Sequence, residues 1–527
     1  MRYSVAGRPA GLVARLQQQW RDGILDIDLI TVKAFSAVRP SAVRLLRRRP
    51  QQMWVHTNPA HGPPAGRYVG TMTVYKVTNP ATGEIMSEYP EATASHIEDA
   101  LSSAATAFPL WRRTPAADRG VVLHRVAALY RERSEELAAI ITREMGKPTR
   151  EALGEVGLVA DIYEYYASEG ESFMADEHLT VRGGGEAVVR TEPIGALLGI
   201  MPWNYPYYQV ARFAAPNLML GNTIILKHAP NCPESALAME LLFKDAGLPE
   251  GAYVNVFATN DQVAEIVADP RVQGVSLTGS ERAGSAVGEV AGRNLKKFVL
   301  ELGGSDPFIV LDGENLDATV KAAVIGRLGN AGQACTASKR FIVLEEHYNE
   351  FVDKFTARMA AVTPGNPADA STRLGPLSSE AAAQGVMDQI TDAVDKGAEV
   401  RTGGIRVNGS GAYVAPTVLT GVEPGMRAYS EEIFGPVAVV YKVRDAEHAI
   451  ELANSSAYGL GGSVFGADVE HAKTVADRLE TGMVWINSAT GTQADLPFGG
   501  VKRSGVGREL ARFGMNEFVN KKLIRVP

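Results

Sequence analysis

Short apolar runs alternate with helical patterns between residues 196 and 300, and no other feature constrains the fold as strongly. Each run has the length of one strand, and in the stretches between them apolar residues recur every three or four positions, as in amphipathic helices. A helix between two strands carries the chain back across the sheet, so that the strands pair in parallel. The pattern therefore predicts an α/β fold with a parallel sheet. The predicted strands are residues 196–200, 223–227, 253–257, 274–277 and 298–300, and the predicted helices between them are 206–215, 234–245, 262–268 and 281–292.

The rest of the chain predicts a second sheet and a small additional element. With 527 residues, the chain is too long for a single hydrophobic core. Three successive glycines at 183–185 lie inside an alternating segment, which predicts a hairpin over 179–190. The other predicted helices are 97–108, 119–131, 135–144 and 155–168, and the strands of the second sheet are 308–311, 341–344, 437–443, 462–464 and 483–487.

Charge is distributed unevenly along the chain. Residues 1–71 hold 11 Lys and Arg against 3 Asp, a balance of +8, whereas the remainder carries −15 within a net charge of −7. The acidic body argues against nucleic acid as the main ligand. We expect the basic leader 1–71 to be dispensable or disordered, with the functional start near Met72; a transit peptide is the alternative.

Two further features concern the cellular environment. The longest apolar runs fall far short of the roughly 20 residues that a membrane span requires, so we expect no membrane association. Cys232 and Cys335 are the two cysteines of the sequence, and two cysteines cannot form a disulfide framework. A reducing, cytoplasmic location is the expectation.

Three polar residues stand at positions suited to catalysis. Cys335 follows small and polar residues and Gly332, so it is either a small core residue or an exposed nucleophile. Glu301 ends a predicted strand and precedes two glycines, where it is either a carboxylate in a crevice at the edge of the sheet or a solvated turn residue. Asn204 lies between two prolines, which suits a fixed donor to an oxyanion or a rigid turn.

A glycine turn after the strand 274–277 indicates a phosphate site. Gly279, Ser280 and Gly284 lie where this strand gives way to a helix. The free N–H groups and the dipole of a helix N-terminus attract phosphate. The spacing differs from both the G-x-G-x-x-G and the P-loop patterns, so the turn by itself is a weak indication of a dinucleotide.

Taken together and in this order, these motifs resemble the aldehyde dehydrogenase superfamily, over nearly all of the chain from Tyr75 to Val526. The resemblance implies a Rossmann-type cofactor domain formed by 72–178 and 196–300, and an α/β catalytic domain, 301–487. It also implies a β-arm for oligomerisation, 179–195 with 488–527, and hence a homodimer or homotetramer. The segments that carry the resemblance are residues 202–206, 227, 279–284, 301–304, 332–335, 432–436 and 497–502.

The resemblance also implies NAD(P)-dependent oxidation of an aldehyde to a carboxylic acid, without a metal. Cys335 matches the nucleophile, whose thiolate we expect near neutral pH, Glu301 the general base and Asn204 the oxyanion donor. Among the cofactor residues, Lys227 matches the residue at the adenosine ribose, Ser280 one at the pyrophosphate and Glu432 the one at the nicotinamide ribose. The further implied cofactor contacts are Trp203, Pro230, Gly279, Gly284, Leu302 and Phe434.

The choice of cofactor depends on the residue three positions after Lys227. Many NAD-preferring relatives have a carboxylate there, which would repel a 2′-phosphate, whereas this chain has Pro230. Lys227 and His228 could attract the phosphate, and Glu234 could disfavour it. We therefore expect NADP, or use of both cofactors.

Arg212 suggests the substrate. It lies eight residues after Asn204, a position that resembles an arginine of succinate-semialdehyde dehydrogenases, where it could pair with a distal carboxylate; a surface salt bridge is the alternative. The agreement is incomplete, because Gly329 stands where those relatives often carry a second arginine. Arg327 could take its place. Ala337 stands where they can carry a second cysteine, so no redox switch is expected.

Succinate semialdehyde is thus the leading substrate, with Arg212, Tyr205 and Tyr208 as the residues expected to bind it. A broad aliphatic or aromatic aldehyde dehydrogenase, with Tyr205, Tyr207 and Tyr208 lining an apolar tunnel, is the alternative. Non-catalytic and coenzyme A-acylating members of the fold are less compatible, because Cys335 and Glu301 are both present.

Overall fold

The computed structural model describes residues 75–407 and 409–527, all within the unit Met72–Pro527. The basic leader 1–71 lies outside the described residues. From Tyr75 to Glu301 the strands are β1 Tyr75–Thr78, β2 Ile85–Tyr89, β3 Glu177–His178, β4 Glu186–Pro193, β5 Ala196–Ile200, β6 Thr223–Lys227, β7 Tyr253–Asn255, β8 Val272–Thr278 and β9 Lys297–Glu301. The helices of this stretch are α1 Ala94–Trp111, α2 Ala116–Glu132, α3 Ser134–Met145, α4 Thr149–Phe173, α5 Tyr208–Leu220, α6 Pro233–Asp245, α7 Asn260–Ala268 and α8 Glu281–Arg293.

The second stretch begins at Asp306. Its strands are β10 Asp306–Val310, β11 Ser338–Leu344, β12 Glu399–Thr402, β13 Thr417–Thr420, β14 Val437–Val443, β15 Tyr458–Gly459, β16 Ser463–Phe465, β17 Trp485–Ile486, β18 Val501–Lys502, β19 Gly505–Val506 and β20 Val519–Val526. Its helices are α9 Leu316–Leu328, α10 Glu345–Ala360, α11 Glu380–Asp395, α12 Arg427–Ser430, α13 Ala446–Asn454, α14 Val469–Ala476 and α15 Ala511–Met515, with a 3₁₀ turn at Gly329–Gly332.

The first sheet has the strand order β19-β9-β8-β5-β6-β7 and is parallel except for β19. The chain enters at β5, moves outward through β6 and β7, and then returns to the other side of β5 as β8 and β9. The order reverses between β5 and β8, and a crevice at the carboxyl ends of strands at such a point is where α/β sheets bind ligands. The parallel sheet predicted from the sequence is therefore confirmed.

Helices cover this sheet because their apolar faces need burial. Helices α2, α4 and α5 share the largest apolar core, which contains the fully buried Tyr130, Tyr163 and Phe213. Local signals set the helix ends: Thr93 caps α1, and Gly146 ends α3 in the left-handed conformation. The core holds the first turn of α5, and with it the segment that carries Asn204, against the sheet.

The second sheet has the order β12-β13-β14-β11-β10-β16-β17, parallel except for the β12–β13 pair. The chain crosses from one sheet to the other between the end of β9 at Glu301 and the start of β10 at Asp306. Cys335 lies three residues before β11. The two sheets thus present Glu301 and Cys335 from the ends of different strands.

A third sheet, of order β20-β4-β3, contains the predicted hairpin. Strands β3 and β4 are antiparallel, and β20 pairs with β4 over eight residues, from Val519 opposite Pro193 to Val526 opposite Glu186. Within the range 488–527, only β20 joins this sheet, because β19 adds to the edge of the first sheet beside β9. Among the described residues, no helix is long and apolar enough to cross a bilayer.

Candidate active site

The loop that carries Cys335 is bent by consecutive left-handed residues. Asn330, Ala331 and Gly332 have φ of 51°, 53° and 74°. A Cβ at Gly332 would collide with the backbone of Gly435 and with the guanidinium of Arg327, so the turn requires glycine. The tight turn brings Cys335 back toward the crevice of the first sheet.

Two buried cations hold this loop. Arg327 donates to the carbonyls of Gly332 (2.8 Å) and Ser338 (3.1 Å), at the two ends of the loop. Lys339 donates to the carbonyls inside it, of Ala334 (3.2 Å), Cys335 (3.1 Å) and Ala337 (3.3 Å). Arg327 therefore stabilises the loop. The hydrogen bonds of its guanidinium go to loop carbonyls, and they give no support to the expectation that Arg327 reaches a substrate carboxylate.

The surroundings of Cys335 disfavour its thiolate. Burial raises the pKa of Cys335 to about 12, although the cations of Arg212 and Lys339 oppose the rise. Glu432 and Glu301 raise the pKa further. The expected thiolate near neutral pH therefore needs an additional stabilising influence on the anion.

Asn204 is fixed beside this loop. Its Nδ2 donates to the carbonyl of Gln333 (3.0 Å), and its Oδ1 accepts from Gln209 (3.3 Å), which sets the orientation of the amide. Its backbone carbonyl accepts from Asn330 (2.8 Å) and from Lys147 (2.9 Å). An amide carries two N–H donors, so the second one remains for a substrate oxygen.

Lys147 and Glu155 form a fully buried ion pair behind Asn204, which the sequence analysis did not identify. The ammonium of Lys147 lies 3.6 Å from the ring centre of Tyr205. The other oxygen of Glu155 accepts from the backbone N–H groups of Tyr207 (2.9 Å) and Tyr208 (3.1 Å), at the first turn of α5. The pair thus fixes the start of α5 relative to the Asn204 segment.

Glu301 is buried, with neither carboxylate oxygen hydrogen-bonded within the part of the chain that the structure describes. Burial raises the pKa of Glu301 well above its usual value; Arg212 opposes this and Glu509 adds to it. A Cβ at Gly499 would lie 2.7 Å from Oε1, so the glycine makes room for the carboxyl group. Glu301 is therefore an uncommitted acid near Cys335.

Arg212 is wholly buried, which excludes the surface salt bridge considered from the sequence. Its Nε forms a short ion pair with Glu509, and its two Nη atoms donate to the hydroxyls of Tyr208 (3.3 Å) and Thr278 (3.2 Å). The guanidinium lies 4.1 Å from the ring centre of Phe498. Tyr208 continues the network to Thr492 at 3.3 Å.

The tyrosines near Asn204 differ in their surroundings. Tyr205 and Tyr208 pack edge to face with ring centres 5.8 Å apart. Tyr207 is fully buried and packs on Tyr130 instead. The expectation that Tyr207 lines a tunnel beside the other two is therefore wrong.

The crevice between β5 and β8 offers groups suited to a dinucleotide. Ser280 caps α8 by accepting from Ala283 (3.3 Å), and Gly279 donates its N–H to the carbonyl of Glu301 (2.9 Å). A Cβ at Gly284 would lie 2.6 Å from Leu302, so this glycine lets α8 approach the strand. The open helix N-terminus and this glycine-lined approach fit a pyrophosphate.

Lys227 ends β6, and burial lowers its pKa to about 8. The adjacent His228 does not face a phosphate: its Nε2 donates to the carbonyl of Pro206 (2.9 Å) and its Nδ1 accepts from Ala229 (2.7 Å). Burial lowers its pKa to about 4, so it is neutral, and the expected attraction to a 2′-phosphate is wrong. Pro230 accepts from the N–H of Lys76 (2.9 Å) through its backbone.

The opposite end of the crevice is formed by Glu432 and two aromatic rings. Glu432 accepts from the N–H of Gly304 (3.1 Å) and lies 3.4 Å from the ammonium of Lys339. Phe434 packs edge to face on Trp203, with ring centres 5.7 Å apart. Within residues 75–407 and 409–527, no cluster of His, Cys, Asp or Glu is suited to hold a metal ion.

A Rossmann-type sheet whose crevice opens toward a cysteine loop on a second sheet defines a class, the pyridine-nucleotide-dependent oxidoreductases that carry a cysteine at the site. Within that class, the chain belongs to the aldehyde dehydrogenase family, whose model matches residues 69–524. The resemblance seen in the sequence, and the fold that it implies, are confirmed.

The alignments with succinate-semialdehyde dehydrogenases cover more than nine-tenths of the length of each relative. The succinate-semialdehyde dehydrogenase (NADP(+)) of Deinococcus radiodurans is 57% identical over 451 residues, 86% of this chain and 94% of the relative. The succinate semialdehyde dehydrogenase (NAD(P)+) Sad of Escherichia coli is 46% identical, over 84% of this chain and 96% of the relative. A crystal structure of succinic semialdehyde dehydrogenase from Streptococcus pyogenes with NADP+ has a TM-score of 0.84 at 44% identity, covering 86% of this chain and all of that one.

Proposed function

We propose that this protein oxidises succinate semialdehyde to succinate, with NADP as the preferred acceptor. The 57% identity to the Deinococcus radiodurans enzyme, over 86% of this chain and 94% of that enzyme, carries the proposal. The buried Arg212 supports it, because a guanidinium near the cysteine can bind the distal carboxylate of a four-carbon semialdehyde.

In the proposed reaction, the thiol of Cys335 loses its proton to water, and the thiolate attacks the aldehyde carbon to give a tetrahedral thiohemiacetal. The oxyanion is stabilised by the N–H of Asn204 that remains after its bond to Gln333, and by the backbone N–H of Cys335. When bound, the nicotinamide supplies the acceptor for the hydride that leaves this carbon. A thioester on Cys335 remains.

Glu301 then serves as the base that takes a proton from water, and the resulting nucleophile hydrolyses the thioester. Its uncommitted oxygens support this role, since a carboxyl group already hydrogen-bonded to the protein would have to exchange those bonds first. Its raised pKa makes it a competent proton acceptor once it is ionised. Thiols also leave readily from acyl groups, which suits cysteine to both halves of the reaction.

The cofactor would be held by Lys227 and Pro230 at the adenosine ribose, by the N-terminus of α8 at the pyrophosphate, and by Glu432 at the nicotinamide ribose. Pro230 supports NADP, because it places no negative charge near a 2′-phosphate. Glu234 adds little repulsion, since its carboxylate is paired with Arg143.

We further propose that the enzyme is cytoplasmic and acts as a homodimer or homotetramer. The third sheet supports assembly: β20 is an edge strand, and its Leu523 and Val526 are 60% and 55% exposed. Exposed edge strands with apolar side chains pair readily with another chain.

The test compares succinate semialdehyde with butanal, which has the same chain length but lacks the carboxylate, in the presence of NADP. We expect wild type to prefer the acid, and Arg212→Met to lose roughly 10²-fold in kcat/KM for the acid alone. Because Arg212→Met leaves Glu509 buried without its cation, Arg212→Met with Glu509→Gln is the matched control for folding.

If wild type oxidises both aldehydes equally, the broad aldehyde dehydrogenase becomes the better assignment. If wild type prefers the acid but both variants keep that preference, the substrate stands and Arg212 has a structural role only. A kcat/KM for NAD that equals or exceeds that for NADP would contradict the proposed cofactor.

A further inference from the structure

Lys339 is a buried cation that contacts both the cysteine loop and the carboxylate assigned to the cofactor. Its ammonium donates to the carbonyls of Ala334, Cys335 and Ala337 and lies 3.4 Å from Glu432. The side chain is 3% exposed, so water does little to screen its charge. No step of the proposed reaction uses it.

The positive charge of Lys339 interacts with two partners, the carbonyls of the Cys335 loop and the carboxylate of Glu432. An ammonium has three N–H donors on a flexible stem, so it can turn between neighbouring acceptors without any movement of the backbone. The carboxylate of Glu432 also accepts from Gly304, so it is not held by Lys339 alone. If another group binds Glu432, the ammonium of Lys339 can donate to the carbonyls of the Cys335 loop alone.

We propose that Lys339 is a positioning residue that links the cofactor site to the nucleophile. When Glu432 lies close to Lys339, the ammonium of Lys339 interacts with both Glu432 and the Cys335 loop. When the ribose hydroxyls of the cofactor bind Glu432, the ammonium of Lys339 interacts mainly with the Cys335 loop and stabilises the thiolate. The link makes the thiol most reactive when the hydride acceptor is in place. The inference rests on the proposed roles of Cys335 and Glu432.

Several other charged or titratable groups face this region and bear on the pH dependence. Glu432, Asp306 and Arg327 face Lys339, while Arg212, Glu301 and Glu432 face Cys335. Tyr205 and Tyr208 also lie near the thiol. A variant of Lys339 leaves Arg212 in place, and below the pKa the rate of alkylation still reports the fraction of Cys335 that is thiolate.

The neighbouring residue provides a matched control. Arg340 is also buried and donates to three backbone carbonyls, those of Ser305, Leu452 and Ala453, at 2.8 to 2.9 Å. Its contacts do not include the Cys335 loop or Glu432. Arg340→Met therefore removes a cation of comparable burial and bonding from the same strand.

The experiment follows alkylation of the full chain by iodoacetamide against pH, without cofactor or substrate. Cys232 is fully buried and its pKa is raised well above its usual value by burial, and Cys335→Ala provides the baseline. We expect Lys339→Met to lower the alkylation rate of Cys335 at a fixed pH below its pKa by about tenfold or more, which corresponds to a rise of about one unit in that pKa. Lys339→Arg should restore most of this difference, and Arg340→Met should leave the profile at the wild-type position.

A second comparison tests the link itself. Glu432→Gln removes the carboxylate charge without any cofactor, and we expect it to lower the apparent pKa of Cys335 more in wild type than in Lys339→Met. Equal lowering in both backgrounds would overturn the link. An unchanged profile in Lys339→Met, or an equal displacement in Arg340→Met, would overturn the positioning role.

The two levels of proposal fail separately. If complete alkylation of Cys335 leaves aldehyde oxidation intact, the proposed function fails. If alkylation abolishes oxidation but Lys339→Met behaves as wild type, the inference about Lys339 alone fails.

Discussion

Two buried glutamates, Glu144 and Glu301, occupy opposite kinds of surroundings. Glu144, at the end of α3, accepts from the backbone N–H groups of Glu234 (2.7 Å) and Ser235 (3.3 Å) and from the hydroxyl of Ser235. Glu301 has no hydrogen-bond partner for either oxygen within the described residues. One carboxyl group closes the N-terminus of α6, and the other stands free in the site.

The pKa values of the two residues reflect this difference. Burial raises the pKa of Glu144 to about 8, against the opposing effect of its donors from Ser235 and Glu234. Burial raises that of Glu301 well above its usual value, and its opposing influence comes chiefly from Arg212. The two carboxyl groups are equally buried, but their hydrogen bonding differs. Glu144 is surrounded by donors and has a structural role, whereas Glu301 lacks them and is free to exchange protons.

We expect the largest effect on turnover from a change of Glu301, the carboxyl group in the site. Glu301→Gln removes the proposed base and should lower steady-state turnover by roughly 10²- to 10⁴-fold, with little change in stability because no hydrogen bond is lost. Rapid mixing should still show a burst of reduced cofactor, since hydride transfer precedes hydrolysis. Turnover at the wild-type rate would assign the base to another residue.

We expect the next largest effect, on stability, from a change of Glu144, the structural carboxyl group. Glu144→Ala leaves the donors of Glu234 and Ser235 buried without an acceptor and should lower the free energy of unfolding by about 3 kcal/mol. Chemical denaturation measures it. Values of kcat and KM should stay near wild type at a temperature where the variant is folded, and a selective loss of kcat would place Glu144 in the reaction.

The pH dependence of Glu144 follows from its raised pKa. Because the folded protein binds this proton more tightly than the unfolded chain, the contribution to stability is complete below about pH 4.5 and is lost as pH rises toward 8. The slope is at most about 1.4 kcal/mol per pH unit. Glu144→Gln, which keeps a carbonyl acceptor, should remove it. Parallel curves for wild type and variant would show that Glu144 does not titrate there.

We expect the smallest effect on stability from the removal of a single hydrogen-bond donor to Glu144. Ser235→Ala deletes the hydroxyl that binds Glu144 and keeps the backbone N–H. We expect a loss of about 1.5 kcal/mol above pH 8, where Glu144 is ionised, and a smaller loss at acidic pH. The same loss at both pH values would mean that the hydroxyl contributes only by packing.

The sequence predicted the first sheet well because its strands are defined locally. Strands β5 and β6 begin and end at the predicted residues, as apolar runs bounded by glycine or proline allow. Helix α4 extends beyond the predicted 155–168 at both ends, since Pro148 precedes its first turn and contacts with α2 continue along it. The amphipathic helices of the second half were not predicted, although in α10 Phe351, Phe355 and Met359 recur every four residues.

The site was predicted in part, for a related reason. Residues next to strand ends, such as Glu301, or in fixed turns, such as Asn204, are recognisable from their neighbours in sequence. The buried charges that hold them are not, because their partners are distant: Arg212 pairs with Glu509, and Lys339 with Glu432. Burial, which sets the pKa of Cys335, is likewise a property of the packed fold.

Strand β19 has a consequence for how the protein is made. Gly505 pairs with Glu301, and the N–H of Leu302 donates to the carbonyl of Ser504 at 2.9 Å, about 200 positions further along the chain. A ribosome synthesises the chain from its amino end, so β9 is without this neighbour until β19 has emerged. An unfinished polypeptide therefore carries Cys335 and Glu301 without the strand that pairs with the end of β9.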